Sequence, residues 1–173
     1  MHPDHHEQYM RLALEQARAA LLDKEFPVGC VLVRDNRVVA RGRRQHSGGA
    51  NRNELDHAEI VALRHFAASR PKKSAGPLAA YCTMEPCLMC HGALLLSGVT
   101  TIVYAYEDIM GGATGLRLAG LTPLYRQTEI DIVAHVLRRE SLALFKQFFR
   151  DPANDYWQGS LLAKYTLAEP DAP

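Results

Sequence analysis

Thr83-Met84-Glu85-Pro86-Cys87-Leu88-Met89-Cys90 is the stretch that decides how this chain folds. Before it, Leu78 to Thr83 is an apolar run of strand length. After it, Cys87 to Ser97 reads as a helix, with Pro86 near its first turn and Gly98 as its stop. The two cysteines therefore stand at i and i+3 on one face of a helix start. Placement at a helix N-terminus favours the thiolate. In a reducing compartment such a pair binds metal or does redox chemistry more often than it forms a structural disulfide.

The same strand-then-helix reading extends outward in both directions. Residues His5 to Leu22 carry apolar side chains at helical spacing. Val28–Arg34 and Arg37–Arg41 flank the turn signal Asp35-Asn36, which predicts a hairpin. The polar, glycine-containing stretch 42–56 predicts a loop leading directly to His57. A helix is expected from His57 to about Ser69, with Asp56 as its N-cap. Residues 70–77, with three cations, read as a surface loop. Downstream lie a strand over Val99–Tyr106, a Gly-rich loop over 107–121 and a strand over 129–134. Helices follow over Arg138–Phe149 and Ala153–Leu167. Strands alternating with helices, after an opening hairpin, predict an α/β fold with a mixed sheet covered by helices.

Composition bounds the function. The chain has 173 residues, 47% hydrophobic and 23% charged, with a formal net charge of +1, which suits one globular domain over 1–173 with 151–173 as a C-terminal helical extension. The near-zero balance gives no global attraction to nucleic acid or membrane. No apolar run approaches the roughly 20 residues of a membrane span. The N-terminal residues lack a signal-peptide pattern, so a cytoplasmic protein is expected. His2, His5 and His6 read as a polar, partly frayed first turn. Cys30 and Cys82 lie in apolar strands and read as buried small hydrophobes.

His57-Ala58-Glu59 gives the cysteine pair its meaning. His57, Cys87 and Cys90 make three metal ligands with a fourth position open, the arrangement of catalytic rather than structural zinc. Zinc brings the pKa of a bound water towards ~7. Glu59, two residues after His57, is placed to take that proton and pass it to a departing amine. The implied reaction is hydrolytic attack on an amino-bearing aromatic carbon with loss of ammonia. A thioredoxin-like redox pair would leave His57 and Glu59 unexplained, and a structural zinc knuckle would need a second Cys/His pair that the sequence lacks. His91 neighbours Cys90, but adjacent helical positions point apart.

At these residues, a His-x-Glu followed by Pro-Cys-x-x-Cys, the chain resembles the cytidine deaminase superfamily. More narrowly it is similar to the group of bacterial tRNA adenosine deaminases, guanine deaminases and fungal-type cytosine deaminases. The matching stretches are Phe26-Pro27-Val28-Gly29 through Val33, Asp56 to Ile60, Thr83 to Ala93, and Phe148-Phe149, within roughly residues 7 to 150. The resemblance implies a three-layer α/β/α sandwich with a mixed five-stranded sheet. It also implies one Zn2+ per subunit held by His57, Cys87 and Cys90, Glu59 as the catalytic proton shuttle, and a homodimer. Phe26, Val28, His46, Ala58, Glu85, Pro86, Asp155 and Trp157 become candidate substrate contacts.

Two departures bear on the substrate. The group commonly carries Asn in the loop after the hairpin. The nearest position here is His46, with Asn51 or Asn53 as alternatives. Tail-bearing tRNA deaminases tend to end in basic residues, whereas Asp155-Tyr156-Trp157 is similar to segments that close over a small base; plain packing of the last helix is the alternative. A free nucleobase, nucleoside or related heterocycle is therefore the favoured substrate. A tRNA anticodon loop is the alternative, supported by Arg41, Arg43, Arg44 and Arg52 near the site, and a non-catalytic zinc-binding homologue is a remote third.

Overall fold

The computed structural model describes residues 3–69 and 76–170. Among them, β1 (Gly29–Arg34), β2 (Arg37–Arg43), β3 (Leu78–Met84), β4 (Val99–Tyr106) and β5 (Asp131–Val133) form a five-stranded sheet in the order β2-β1-β3-β4-β5. β1 runs antiparallel to β2 and β3, while β4 is parallel to β3 and β5. The sheet is mixed, as the hairpin implied. Asp35 and Asn36 close that hairpin at φ 51° and 58°, the left-handed pair whose twist matches the strands they join. The helices are α1 (Pro3–Leu22), α2 (Ala58–Ala68), α3 (Leu88–Leu96), the single turn α4 (Pro123–Arg126), α5 (Arg138–Arg150) and α6 (Leu161–Ala168).

Alternate strand residues point to opposite faces, and both faces are apolar. Val31, Val33, Tyr81, Val103 and Ala105 pack under Met10, Ala13, Leu14 and Ala17 of α1. Cys30, Leu32, Ala80, Cys82 and Ile102 share a cluster with Ala58 and Ala62 of α2 and Leu94 of α3. The result is the expected three-layer α/β/α sandwich. Cys30 and Cys82 are register partners, both fully buried, with sulfurs 3.8 Å apart. The Cys30 contact and burial push the Cys82 thiol well above its ordinary pKa, so both cysteines behave as core residues.

Two glycines let helices lie directly on the strands. A Cβ at Gly29 would sit 2.1 Å from the Ala13 carbonyl oxygen of α1, and one at Gly42 only 2.2 Å from the Ala58 carbonyl oxygen of α2. Side chains at these positions would lift a helix from the sheet. The Gly42 contact matters most here, because Ala58 opens α2 immediately after His57.

Several expectations need correction. His57, not Asp56, is the N-cap of α2, and it makes no side-chain cap bond. Asp56 instead binds Asn53, His46 and Arg64, because its carboxylate is drawn to three nearby donors. The first turn of α1 is not frayed: His6 Nδ1 lies 3.1 Å from the Tyr81 hydroxyl, and the His5 ring meets Tyr9 edge-on. The expected helix over Ala153–Leu167 is only α6. Before it the chain turns through Trp157 (φ 58°) and Gly159 (φ 70°), and Ser160 caps α6 by accepting from the Ala163 N–H. β5 is shorter than 129–134. His2 and the cationic stretch 70–75 fall outside the described residues.

A carboxylate network fastens α5 and α6 to the end of β4. Glu107 accepts from Arg138 Nε (2.8 Å) and Nη2 and from the Tyr165 hydroxyl (2.7 Å), and Arg138 also reaches Glu169 at 2.9 Å. Burial opposes ionisation of Glu107, but the Arg138 and Tyr165 bonds outweigh it and hold its pKa down at about 2. A depressed carboxylate pKa stabilises the fold above the unfolded value of ~4.3 and loses that contribution as pH falls towards the folded value. Glu107→Gln should therefore cost about 1–2 kcal/mol at pH 7, allowing for partial solvent screening. Thermal melts of wild type and variant should converge between pH 4.5 and 2. Curves that stay parallel over that range would show that the network contributes no linkage.

Candidate active site

The site forms where two helix starts meet at the carboxyl end of β3. His57 caps α2 and Cys87 caps α3, both with extended backbone, and Cys90 follows on the first turn of α3. The covered α2–β2 contact at Gly42 holds the first of these. On the other side, the peptide N–H of Glu85 bonds to the Tyr106 carbonyl at 2.7 Å and the Pro86 carbonyl accepts from Ala113 at 3.0 Å.

His57 Nδ1 lies 3.6 Å from Cys87 Sγ and 3.5 Å from Cys90 Sγ. A tetrahedral zinc with ordinary Zn–S and Zn–N lengths separates sulfur from nitrogen by about 3.5 Å, so the donor set fits that ion. Among the described residues this is the group able to hold a metal. The electrostatics agree. The contact with Cys90 draws the Cys87 thiol down to about 4 against the cost of burial, with help from His57, and the same contact and burial push Cys90 up. Zinc binding displaces the protons of such thiols. Burial lowers the His57 imidazole, but its bond to Cys87 and the Glu59 charge outweigh this and leave it raised.

Glu59 is 3% exposed, with its Oε2 at 3.5 Å from Cys90 Sγ. Burial raises its pKa, which suits a carboxyl that must hold a proton and release it.

A cavity of about 180 Å³ opens beside the triad. Its lining includes five of the sequence-predicted contacts: Phe26, Val28, Ala58, Glu85 and Trp157. Glu85 also accepts bonds from the Asp108 N–H, the Thr114 N–H and the Thr114 hydroxyl, so it ties the 107–121 loop to the cavity. Three predicted contacts lie elsewhere. The His46 ring is held by Asp56 at 2.8 Å. Pro86 is buried as the hinge between β3 and α3. Asp155 lines a separate polar groove with Asp23, Lys24 and Ser47. In their place stand Arg44, Glu54, Met84, Asp108 and Tyr156. The sequence places Arg44 near the site with Arg41, Arg43 and Arg52, but nothing local marks it as the buried one of the four. Alternation in β2 was the available signal, because Ala40, Gly42 and Arg44 share a parity.

The fold, the three-ligand cluster and the buried glutamate define a zinc-dependent hydrolase that acts on C–N bonds, deaminating a nucleobase-type substrate. The model of the cytidine and deoxycytidylate deaminase zinc-binding region matches residues 3–106, and the chain belongs to that family. A tRNA-specific adenosine deaminase of Agrobacterium fabrum is 33% identical over 152 residues, covering 85% of this chain and 95% of its own. One of Bacillus subtilis is 29% identical over 145 residues, covering 84% and 89%. Among solved structures, one from studies of A-to-I editing by tRNA:A34 deaminases aligns with a TM-score of 0.66 at 31% identity, covering 79% of this chain and 98% of that one. A guanine deaminase from Nitrosomonas europaea aligns with a TM-score of 0.65 at 21% identity over 82% and 83%, a likeness of fold. No described helix is long and apolar enough to cross a membrane.

Proposed function

We propose that this chain deaminates a free nucleobase or a related small amino-heterocycle. The observation that carries this reading is the cover over the cavity. Tyr156 is 4% exposed, its ring packs on Phe26 with centroids 5.3 Å apart, and its hydroxyl donates to Glu54 at 2.9 Å. With Trp157 and Leu162 it lines the cavity beside His57 and Glu59. A compartment this small, covered by the chain's own tail, suits one heterocycle better than a base carried on a polynucleotide.

The arginines support the same reading. Arg41 pairs with Glu15, Arg43 with Asp23, and Arg44 and Arg52 with Glu54. Carboxylates facing each cation leave little net positive potential for a phosphate backbone.

In this reading the ring lies among Phe26, Val28, Ala58 and Met84, which exclude water. Zinc, when bound, acidifies a water molecule. Glu59 accepts a proton on a carboxylate oxygen and returns it to the amine nitrogen, so that R–NH2 and water give ammonia and R–OH, which tautomerises to the oxo form with a proton on the ring nitrogen. Residues 1–173 act as one deaminase domain, with 151–173 a C-terminal helical extension, in the cytoplasm. Exposed Leu88 and Leu96 on α3 support a homodimer that buries them.

The second reading is adenosine-to-inosine deamination in a tRNA anticodon loop, favoured by the 33% identity to a deaminase of that name. An ammonia-release assay of the zinc-loaded protein decides between them. Guanine, cytosine, adenine, their nucleosides and amino-triazines are compared with an anticodon stem-loop. Turnover of a small heterocycle is expected, and turnover of the stem-loop alone overturns the small-molecule reading.

A further inference from the structure

Glu25 and Ser47 stand behind the zinc cavity rather than in it. Both line the polar groove with Asp23 and Asp155, whereas Phe26, Val28 and Arg44, close to them in the chain, line the cavity. The Glu25 carboxylate accepts from the peptide N–H groups of His46 (3.0 Å) and Ser47 (2.6 Å) and from the Ser47 hydroxyl. The Ser47 oxygen in turn accepts from the Phe26 N–H at 2.7 Å. Ser47 is 1% exposed, and its buried hydroxyl is satisfied both as donor and as acceptor.

The backbone shows what these bonds hold in place. Lys24, the residue before Glu25, stands at φ 61°, and His46, the residue before Ser47, at φ 56°. Residues other than glycine are disfavoured in that left-handed region and persist there where the surrounding structure over-determines them. Here both reversals of the chain meet at one carboxylate. The Arg44 N–H also bonds to the Val28 carbonyl at 2.9 Å, so residues 26–28 and 44–47 are joined at both ends. Phe26 is thus pinned at its backbone by Ser47, while its ring packs on Tyr156 and Phe145 with centroids 5.3 and 5.2 Å apart. The zinc ligands and Glu59 sit at the starts of α2 and α3, outside this clamp.

We infer that Glu25 is a positioning residue for substrate binding: acting through Ser47, it clamps the 42–56 loop to the chain at Phe26 and so sets the distance between the two segments that wall the cavity. Phe26 and Val28 are apolar, so their contact with a substrate ring is the same before and during the reaction. Loosening them weakens ground state and transition state alike, which raises KM and spares kcat. The inference rests on the deaminase chemistry and on neither choice of substrate.

The test takes KM and kcat from ammonia release by the zinc-loaded protein, with whichever substrate of the assay above it turns over fastest. Glu25→Ala and Ser47→Ala should each raise KM about tenfold or more, the scale of an altered apolar pocket contact. Zinc should stay at one per chain, and kcat within about threefold of wild type. Glu25→Gln keeps an acceptor oxygen at the same reach and should fall between Glu25→Ala and wild type. Because the two residues act along one path, the double alanine variant should exceed the larger single effect by no more than about twofold. KM does not depend on the fraction of active protein, so partial misfolding leaves the readout intact, and Glu25→Gln keeps the side-chain volume should the alanine variants fail to fold. An unchanged KM in every variant that folds, whatever its melting temperature, overturns the inference and leaves Glu25 a structural anchor. A kcat that falls as far as KM rises, or single effects that multiply in the double variant, overturn it as well.

Discussion

Replacing Glu59 by Gln should leave one zinc per chain and lower ammonia release by about three orders of magnitude or more. The amide is nearly isosteric with the carboxylate, so the pocket keeps its shape, but it can neither take up nor return a proton at neutral pH. General acid–base catalysis by one positioned group contributes about 10²–10⁴-fold, and here one carboxyl serves both directions of transfer. Glu59 is buried, and its pKa is raised chiefly by that burial. The other carboxylates of the cavity are engaged: Glu85 by Thr114 and the Asp108 N–H, Asp108 by the N–H groups of Met110 and Gly111, and Glu54 by Arg44, Arg52 and the Tyr156 hydroxyl. Zinc content by atomic absorption and ammonia release on the same samples check the expectation. A variant that retains zinc and more than about a tenth of the wild-type rate would remove Glu59 from the proton path.

Cys90→Ala should lose both metal and activity. Structural zinc sites in small peptides are worth about 10–16 kcal/mol at neutral pH, or roughly 3–4 kcal/mol for each ligand. Losing one of three donors should therefore weaken zinc binding by at least about a hundredfold. The variant also separates the zinc pair from the core pair. Cys82→Ala deletes an equally buried sulfur from β3, at a cost in packing, but it removes no ligand. Competition with a chromophoric chelator should show zinc leaving Cys90→Ala readily and holding in Cys82→Ala. Undiminished zinc affinity in Cys90→Ala would mean that the metal is held elsewhere.

Much of the fold was legible because its signals are local. The hairpin turn needs two residues at positive φ, and Asp35-Asn36 is a pair that tolerates them. β4 runs over Val99–Tyr106 as its β-branched run predicts. The tail was misread because helical periodicity across 153–160 comes from residues that are tied down one by one. Asn154 accepts from the Tyr156 N–H, and Ser160 starts the helix anew. Backbone bonds of that kind leave little trace in hydrophobic spacing.

The sequence by itself determined the chemistry. His57, Glu59, Cys87 and Cys90 are ligand and proton-transfer types at spacings set by two helix starts, and a helix start fixes side-chain direction over only a few residues. Tertiary structure decided what surrounds them. His46 was placed at the substrate by its position in the loop, but Asp56 holds its ring away, and Arg44, two residues earlier, turns inward instead. That choice depends on Asn53, Glu54 and Tyr156, the last of them 112 residues from Arg44 in the chain. The direction of a buried cation is set by the partners that compensate its desolvation, and those partners are brought together only by folding.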